Sequence, residues 1–205
     1  MQTVDFKLYL ITDRKIVNAP LEIVVEEAFK AGLKALQLRE RDMTDRELLV
    51  LAIKLRELSN KYNAKLFIND RVDVALLIEA DGVHLGQNSM PVSTVRRLVG
   101  DRMLIGKSTH SVEEAIDAVS KGANFITIGP IYQTPSKLKY GDPIGLEVLQ
   151  KVKKKLSIPV FAIGGIKEHN IKDIMGSRAD GIAVISGILS SDSVFNETKK
   201  YLESL

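Results

Sequence analysis

Ala31-Gly32-Leu33-Lys34-Ala35 leads from the end of an amphipathic helical stretch, through a glycine-bearing turn, into an apolar run. The same passage recurs at Ala80-Asp81-Gly82, Lys121-Gly122-Ala123-Asn124 and Ala179-Asp180-Gly181. A helix end, a glycine turn and a short apolar run in that order read as the return from a helix to a strand. Outward from these turns, β-type runs at 8–11, 35–38, 65–68, 82–85, 103–105, 125–128, 160–163 and 181–185 alternate with helical patterns. The helical stretches are 21–31, 45–62, 72–78, 92–99, 112–121, 146–155, 167–175 and 194–202. In the second of these, Leu48, Leu49, Ala52, Leu55 and Leu58 recur at helical spacing. Eight β/α units in 205 residues leave about 26 residues for each. The pattern predicts an α/β protein of one domain over 1–205, a compact (β/α)8 barrel near the lower size limit of that fold. A doubly wound open sheet is the alternative, but it normally uses fewer strands, and no phosphate-loop glycine fingerprint follows the first strand.

Composition narrows the function. The chain is 45% hydrophobic and 27% charged, enough for a large core and unlike a disordered chain. Lys plus Arg less Asp plus Glu is 29 − 26 = +3, and the basic residues are scattered, which argues against nucleic acid as a partner. The run Lys153-Lys154-Lys155 reads as a solvated helix end. Absence of cysteine excludes disulfides, thiolate metal sites and a cysteine nucleophile. No apolar run approaches the roughly 18 residues that cross a bilayer, and Met1 to Lys7 does not resemble a signal peptide. The expectation is a soluble, cytoplasmic protein with no membrane partner.

In such a barrel, chemistry sits at the C-terminal ends of the strands. Thr12, Asp13 and Arg14 follow the first strand. In Leu36-Gln37-Leu38-Arg39-Glu40-Arg41, side chains alternate, so an amide and two guanidiniums share one side and the leucines the other. With the leucines under the helices, Gln37, Arg39 and Arg41 point into the mouth, where arginine suits bidentate phosphate recognition. An ion-pair ladder through Glu40 is the competing reading. Asn69-Asp70-Arg71 offers either a helix cap or a hard oxygen for Mg²⁺. His84 is an acid/base candidate or a structural strand histidine. The sixth strand runs into a hydroxyl-rich loop carrying Thr134, Pro135, Ser136 and Lys137, either an active-site cover or an ordinary solvated loop. Gly164-Gly165 after the seventh strand and Ser186-Gly187 after the eighth suit the phosphate cradle common in these barrels. Together the groups suit two phosphorylated ligands, one of them a diphosphate with Mg²⁺.

Several motifs occur in order across nearly the whole chain. They are Tyr9-Leu-Ile-Thr-Asp13, Gln37-Leu-Arg-Glu-Arg41, Asn69-Asp-Arg-Val-Asp73, Asp81-Gly-Val-His-Leu-Gly-Gln87, Gly129-Pro-Ile-Tyr-Gln-Thr-Pro-Ser-Lys137, Ala162-Ile-Gly-Gly-Ile166 and Asp180-Gly-Ile-Ala-Val-Ile-Ser186. Through them the chain resembles the thiamine phosphate synthase/TenI family. The resemblance implies condensation of hydroxymethylpyrimidine diphosphate with hydroxyethylthiazole phosphate, giving thiamine phosphate and diphosphate. It places Gln37, Leu38, Arg39, Glu40, Arg41, Asn69, Ser108 and Lys137 at the pyrimidine diphosphate, with Arg39, Arg41 and Lys137 catalytic. It places Thr134, Pro135, Ser136, Gly165, Ile185 and Ser186 at the thiazole phosphate, and Asp70 on Mg²⁺. The partners implied are small phosphorylated molecules and, at most, a second copy of the chain.

Two positions depart from the family pattern. Arg41 stands where synthases usually have lysine, which keeps the charge. Ser89 stands where they usually have an aspartate as second Mg²⁺ ligand, and a hydroxyl is the poorer partner. The rival readings are a TenI-type thiazole phosphate tautomerase and a phosphate-binding barrel with no reaction of its own. Ser108-Thr-His-Ser111 and Gly181-Ile-Ala-Val-Ile-Ser-Gly-Ile188 look somewhat like the tautomerases, but those carry a histidine where this chain has Pro130.

Overall fold

The computed structural model describes residues 3–134 and 142–205. Eight parallel strands close into a barrel in sequence order, with β1 paired to both β2 and β8. They are β1 (Leu8–Ile11), β2 (Ala35–Leu38), β3 (Lys65–Asn69), β4 (Gly82–Leu85), β5 (Leu104–Thr109), β6 (Phe125–Ile128), β7 (Val160–Ile163) and β8 (Gly181–Val184). Helices α1 (Leu21–Lys30), α2 (Asp45–Lys61), α3 (Val72–Leu77), α4 (Val92–Val99), α5 (Val112–Ser120), α6 (Gly145–Lys155), α7 (Ile171–Gly176), α8 (Ser186–Leu189) and α9 (Val194–Glu203) complete the chain. Among the described residues, no helix is long and apolar enough to cross a membrane.

The alternation along each strand divides the core in two. Leu36 and Leu38 belong to the outer core between strands and helices, while Tyr9, Ile11, Ala35, Phe67, Leu104, Phe125, Phe161 and Ala183 fill the barrel interior. The interior is aromatic at its base, where Phe6, Tyr9, Phe67, Phe125 and Phe161 pack with ring centroids 5.1–6.2 Å apart. Each of three phenylalanines has a glycine opposite it on a neighbouring strand: Phe67 with Gly82, Phe125 with Gly106, Phe161 with Gly181. A Cβ on any of these glycines would overlap the facing ring. Large and small residues thus alternate around a small barrel, and side chains fill its interior.

A repeated strap braces this N-terminal end. Asp81, Asn124 and Asp180 each precede an even-numbered strand and accept from the backbone N–H of Leu66, Ile105 and Val160, at 2.9, 2.8 and 2.8 Å. Each also takes a cation from an even-numbered helix: Arg56, Arg96 and Lys153. The recurring turns of the sequence therefore carry a hydrogen-bonding role besides the turn itself. Three helix starts are capped by side chains: α2 by Thr44, which forms a capping box with Glu47, α5 by Ser111 and α9 by Ser193.

The expected element types hold, with shifted ends. β5 runs on to Thr109 rather than stopping at Ile105, because Gly106 to Thr109 pairs in register with Phe125 to Ile128 and Ser108 turns inward to polar partners. The stretch 167–175 begins as one 3-10 turn over Glu168–Asn170 before α7. β8 ends at Val184, and Ile185 turns the chain into the short α8, which apolar patterning alone does not separate from the strand.

Candidate active site

The C-terminal ends of β1 to β5 present a polar wall. Thr12 locks the first two strands together, its N–H on Gln37 O at 2.9 Å and its Oγ1 taking Arg39 N–H at 2.9 Å. Gln37 is buried, and its amide nitrogen donates to the Tyr9 hydroxyl at 3.1 Å. Burial pushes the Tyr9 phenol well up, so it stays neutral. The side chain of Leu38 is packed under the helices, leaving only its backbone near the mouth. Glu40 faces away from the arginines and is buried against Arg14, accepting from its N–H at 3.0 Å and its Nη1 at 3.1 Å. The ion-pair ladder is therefore real, but it joins Glu40 to Arg14 and leaves Arg39 and Arg41 on the mouth side.

Arg39 is half-buried and makes no ion pair with any described residue. Burial, and next the neighbouring Arg41, lower its pKa, while Asp13 and Asp70 act the other way. Arg41 lies with Nη2 4.0 Å from Asp70 Oδ2, and a Cβ on Gly86 would come within 3.3 Å of the same nitrogen. Asp70 is held in the left-handed region (φ +61°), a conformation aspartate tolerates better than most residues. Its carboxylate accepts from Asn69 Nδ2 at 2.8 Å, from Gly86 N–H at 3.3 Å and from the Ser89 hydroxyl. Asp70 and Ser89 are thus direct neighbours. Among the described residues, three of roughly four carboxylate lone-pair positions are taken, two on Oδ1 and one on Oδ2, leaving one on Oδ2.

Deeper in the same wall, His84 is buried, with Nε2 3.0 Å from Ser108 Oγ. Burial pulls its pKa down to about 3, so the ring is neutral near pH 7. Thr127 also reaches Ser108 Oγ, at 3.4 Å. His110 lies outside this group, bound to Gln87 and Glu114.

The wall from β6 to β8 is different. Ile163 and Ile185 pack against the interior core. Gly164 and Gly165 have φ of +98° and +66°, which glycine reaches without steric cost. Ile131 N–H and Tyr132 N–H bond the carbonyls of Ile163 and Gly164 at 2.9 and 3.1 Å, so the loop after β6 runs along the end of β7. A Cβ on Gly165 would come within 2.7 Å of Gln133 O and of Tyr132 Cβ. Gly165 therefore serves loop packing as well as any anion. Asn170 fixes the turn, donating to Gly165 O at 3.0 Å and accepting from Lys167 N–H at 3.0 Å. Ile185 and Ser186 form the adjoining turn into α8.

Gln37, Arg39, Arg41, Asn69, Asp70 and Ser108 thus gather at the ends of β2 to β5, and Thr134, Gly165, Ile185 and Ser186 follow β6 to β8. Pro135, Ser136 and Lys137 lie outside the described residues. Sequence reasoning missed Tyr9, Thr12 and Arg14 as supports of the β2 end. It also passed over Lys107, whose ammonium donates to Gly86 O and whose pKa burial lowers. Its signal was a lysine two residues after the apolar pair Leu104-Ile105, in a stretch that composition alone reads as a loop.

A profile described as thiamine monophosphate synthase matches residues 8–188. The chain belongs to the thiamine monophosphate synthase family. A thiamine-phosphate synthase of Clostridium novyi is 43% identical over 197 residues, covering 96% of this chain and 97% of the relative. That of Clostridium acetobutylicum is 44% identical over 202 residues, covering 97% and 94%. Among solved structures, a thiamine phosphate pyrophosphorylase from Pyrococcus furiosus superposes with a TM-score of 0.89 at 38% identity, covering 97% of this chain and 94% of that one. The family profile spans both walls of the mouth, from β1 to α8.

Proposed function

We propose that this chain is a thiamine-phosphate synthase that joins hydroxymethylpyrimidine diphosphate to hydroxyethylthiazole phosphate and releases diphosphate. The observation that carries the reading is Arg39, a half-buried guanidinium without an ion-pair partner among the described residues, set beside Arg41 and Asp70. Two neighbouring guanidiniums repel each other, and a multiply charged anion relieves that repulsion. The full-length likeness to thiamine-phosphate synthases supplies the substrates' identity.

In this reading the C–O bond between the pyrimidine methylene and the diphosphate breaks, and its electron pair leaves with the diphosphate oxygen. Arg39, Arg41 and Lys137 hold the growing negative charge, an electrostatic stabilisation aimed at the transition state. Gln37, Asn69 and Ser108 orient the pyrimidine. Thr134, Pro135, Ser136, Gly165, Ile185 and Ser186 hold the thiazole phosphate so that the thiazole nitrogen attacks the methylene carbon. No protein nucleophile is needed. The neutral, buried His84 is poorly suited to the general acid/base work a tautomerase requires.

The remaining lone pair on Asp70 Oδ2, with the Ser89 oxygen against Oδ1 of the same carboxylate, suits a Mg²⁺ ion that would keep waters and diphosphate oxygens in its shell. Bound there, Mg²⁺ would neutralise and orient the diphosphate. Asp70 would supply the anionic ligand and Ser89 a weak neutral one.

The test is an incubation with both substrates over a series of Mg²⁺ concentrations, reading diphosphate and thiamine phosphate. Equal amounts of both products are expected. Thiazole isomerisation with no diphosphate at any Mg²⁺ level would overturn the reading.

A further inference from the structure

The hydroxyl of Ser108 has two polar neighbours beneath it. His84 Nε2 lies 3.0 Å from Ser108 Oγ, and the Thr127 hydroxyl donates to the same oxygen at 3.4 Å. Which proton His84 carries follows from its other nitrogen. Nδ1 is buried and has no hydrogen-bond partner among the described residues. It faces the backbone of β5 at Gly106, where a Cβ would come within 2.6 Å of it, and the ring rests near Phe125 at a centroid distance of 5.8 Å. A buried N–H with no acceptor is costlier than a lone pair left unused. The proton therefore sits on Nε2, and His84 donates to Ser108. Ser108 Oγ then accepts twice, which fills both lone pairs. Its own hydrogen has one direction left, outward. His84 and Thr127 are buried at 2% and 1% exposure, whereas Ser108 is only partly buried and borders the mouth.

We propose that His84 and Thr127 are positioning residues that lock the Ser108 hydroxyl as a one-way donor toward an acceptor atom of the pyrimidine diphosphate. The proposal rests on the synthase reading for the ligand's identity. An unrestrained serine can donate or accept, and so tolerates ligands of either kind. A serine filled from below can only donate, and a ligand that presents a donor at that point leaves two hydrogens opposed.

The test is a double-mutant cycle on the full chain, read as the Kd for hydroxymethylpyrimidine diphosphate by calorimetry with Mg²⁺ present. His84→Phe keeps a ring and removes the donor; Ser108→Ala removes the hydroxyl. Each change alone is expected to weaken binding by about tenfold, the scale of one hydrogen bond. In the Ser108→Ala background, His84→Phe is expected to cost less than about twofold, because the two act as one unit. The Kd for hydroxyethylthiazole phosphate stays put, whereas a general loosening of the mouth would weaken both ligands. Independent losses that multiply to about a hundredfold would overturn the proposal. So would a His84→Phe enzyme that binds as well as wild type. If His84→Phe gives no cooperative melt, Thr127→Val, which removes the second donor, runs the same cycle and decides the matter by the same criteria. Wild-type binding without turnover would remove the synthase reading and leave this proposal standing. Failure of the wild type to bind the pyrimidine diphosphate would overturn it.

Discussion

Replacing Ser89 with aspartate sets a second carboxylate against Asp70, and the structure allows the cost to be worked out. The Ser89 hydroxyl now donates to Asp70 Oδ1, which also accepts from Gly86 N–H. Removing a donor from an ionised acceptor costs about 1.5–3 kcal/mol. Two unit charges roughly 4 Å apart repel by about 4 kcal/mol at an effective dielectric constant of about 20. Asp70 has 36% of its side chain exposed, so water and salt reduce that repulsion to about 1 kcal/mol. Without metal, Ser89→Asp should therefore lose about 2–4 kcal/mol, or about 5–10 °C in Tm for a chain of this size. Mg²⁺ bridging both carboxylates reverses the sign of the interaction. The assay is a pair of thermal melts, in EDTA and in MgCl₂ at matched ionic strength, beside diphosphate release against Mg²⁺ concentration. The variant should melt lower than wild type in EDTA, gain more from Mg²⁺, and reach half-maximal release at lower Mg²⁺. An unchanged Tm in EDTA, or an equal gain from Mg²⁺ in both proteins, would refute the reasoning.

Arg39→Ala should lower kcat/KM for the pyrimidine diphosphate by about 10²–10³, the scale for losing a transition-state charge partner. Its Tm should hold, since Arg39 makes no ion pair with the described residues; steady-state kinetics and a melt check both. Gly165→Ala should raise the thiazole-phosphate KM and also lower Tm, because the new Cβ meets Gln133 O and Tyr132 and must adopt a φ of +66°. A raised KM with no loss of stability would show that the loop yields freely. Asp70→Asn should raise the Mg²⁺ needed for half-maximal diphosphate release, by removing the anionic ligand. Asp180→Ala, at the far end of the barrel, should cost about 2 kcal/mol in denaturant unfolding through the lost bonds to Val160 N–H and Lys153. Its kcat should match wild type.

The order of elements was legible because strand and helix periods differ so plainly along this chain. Alternation in Leu36 to Arg41 correctly separated the mouth-facing guanidiniums from the leucines. The same rule could not say where Glu40 would go, since its partner Arg14 lies 26 positions away and meets it only across β1 and β2. Strand ends were misjudged where polar residues continue a ladder. Gly106 to Thr109 reads as a loop by composition, yet it pairs with β6, and its serine is satisfied from inside the barrel. Gly165 was read for its missing Cβ toward an anion. The approach of the loop after β6 is a second reason for the same glycine, and nothing local to Gly164-Gly165 announces it.

The straps at the N-terminal end are not shared evenly. They tie β3 to β4, β5 to β6 and β7 to β8 through Asp81, Asn124 and Asp180. At the corresponding place before β2 stands Lys34, whose ammonium cannot accept a hydrogen bond and donates instead to Tyr62 O at 3.2 Å. Of the four pairs in which an even-numbered strand follows an odd-numbered one, β1 and β2 alone lack the strap among the described residues. Local opening takes the least secured route. In amide exchange under native conditions, the N-terminal ends of β1 and β2 should therefore lose protection before those of the three strapped pairs. That breach lies at the opposite pole from the mouth, so the molecule can breathe at its base while Thr12 keeps β1 and β2 joined beside the reacting groups.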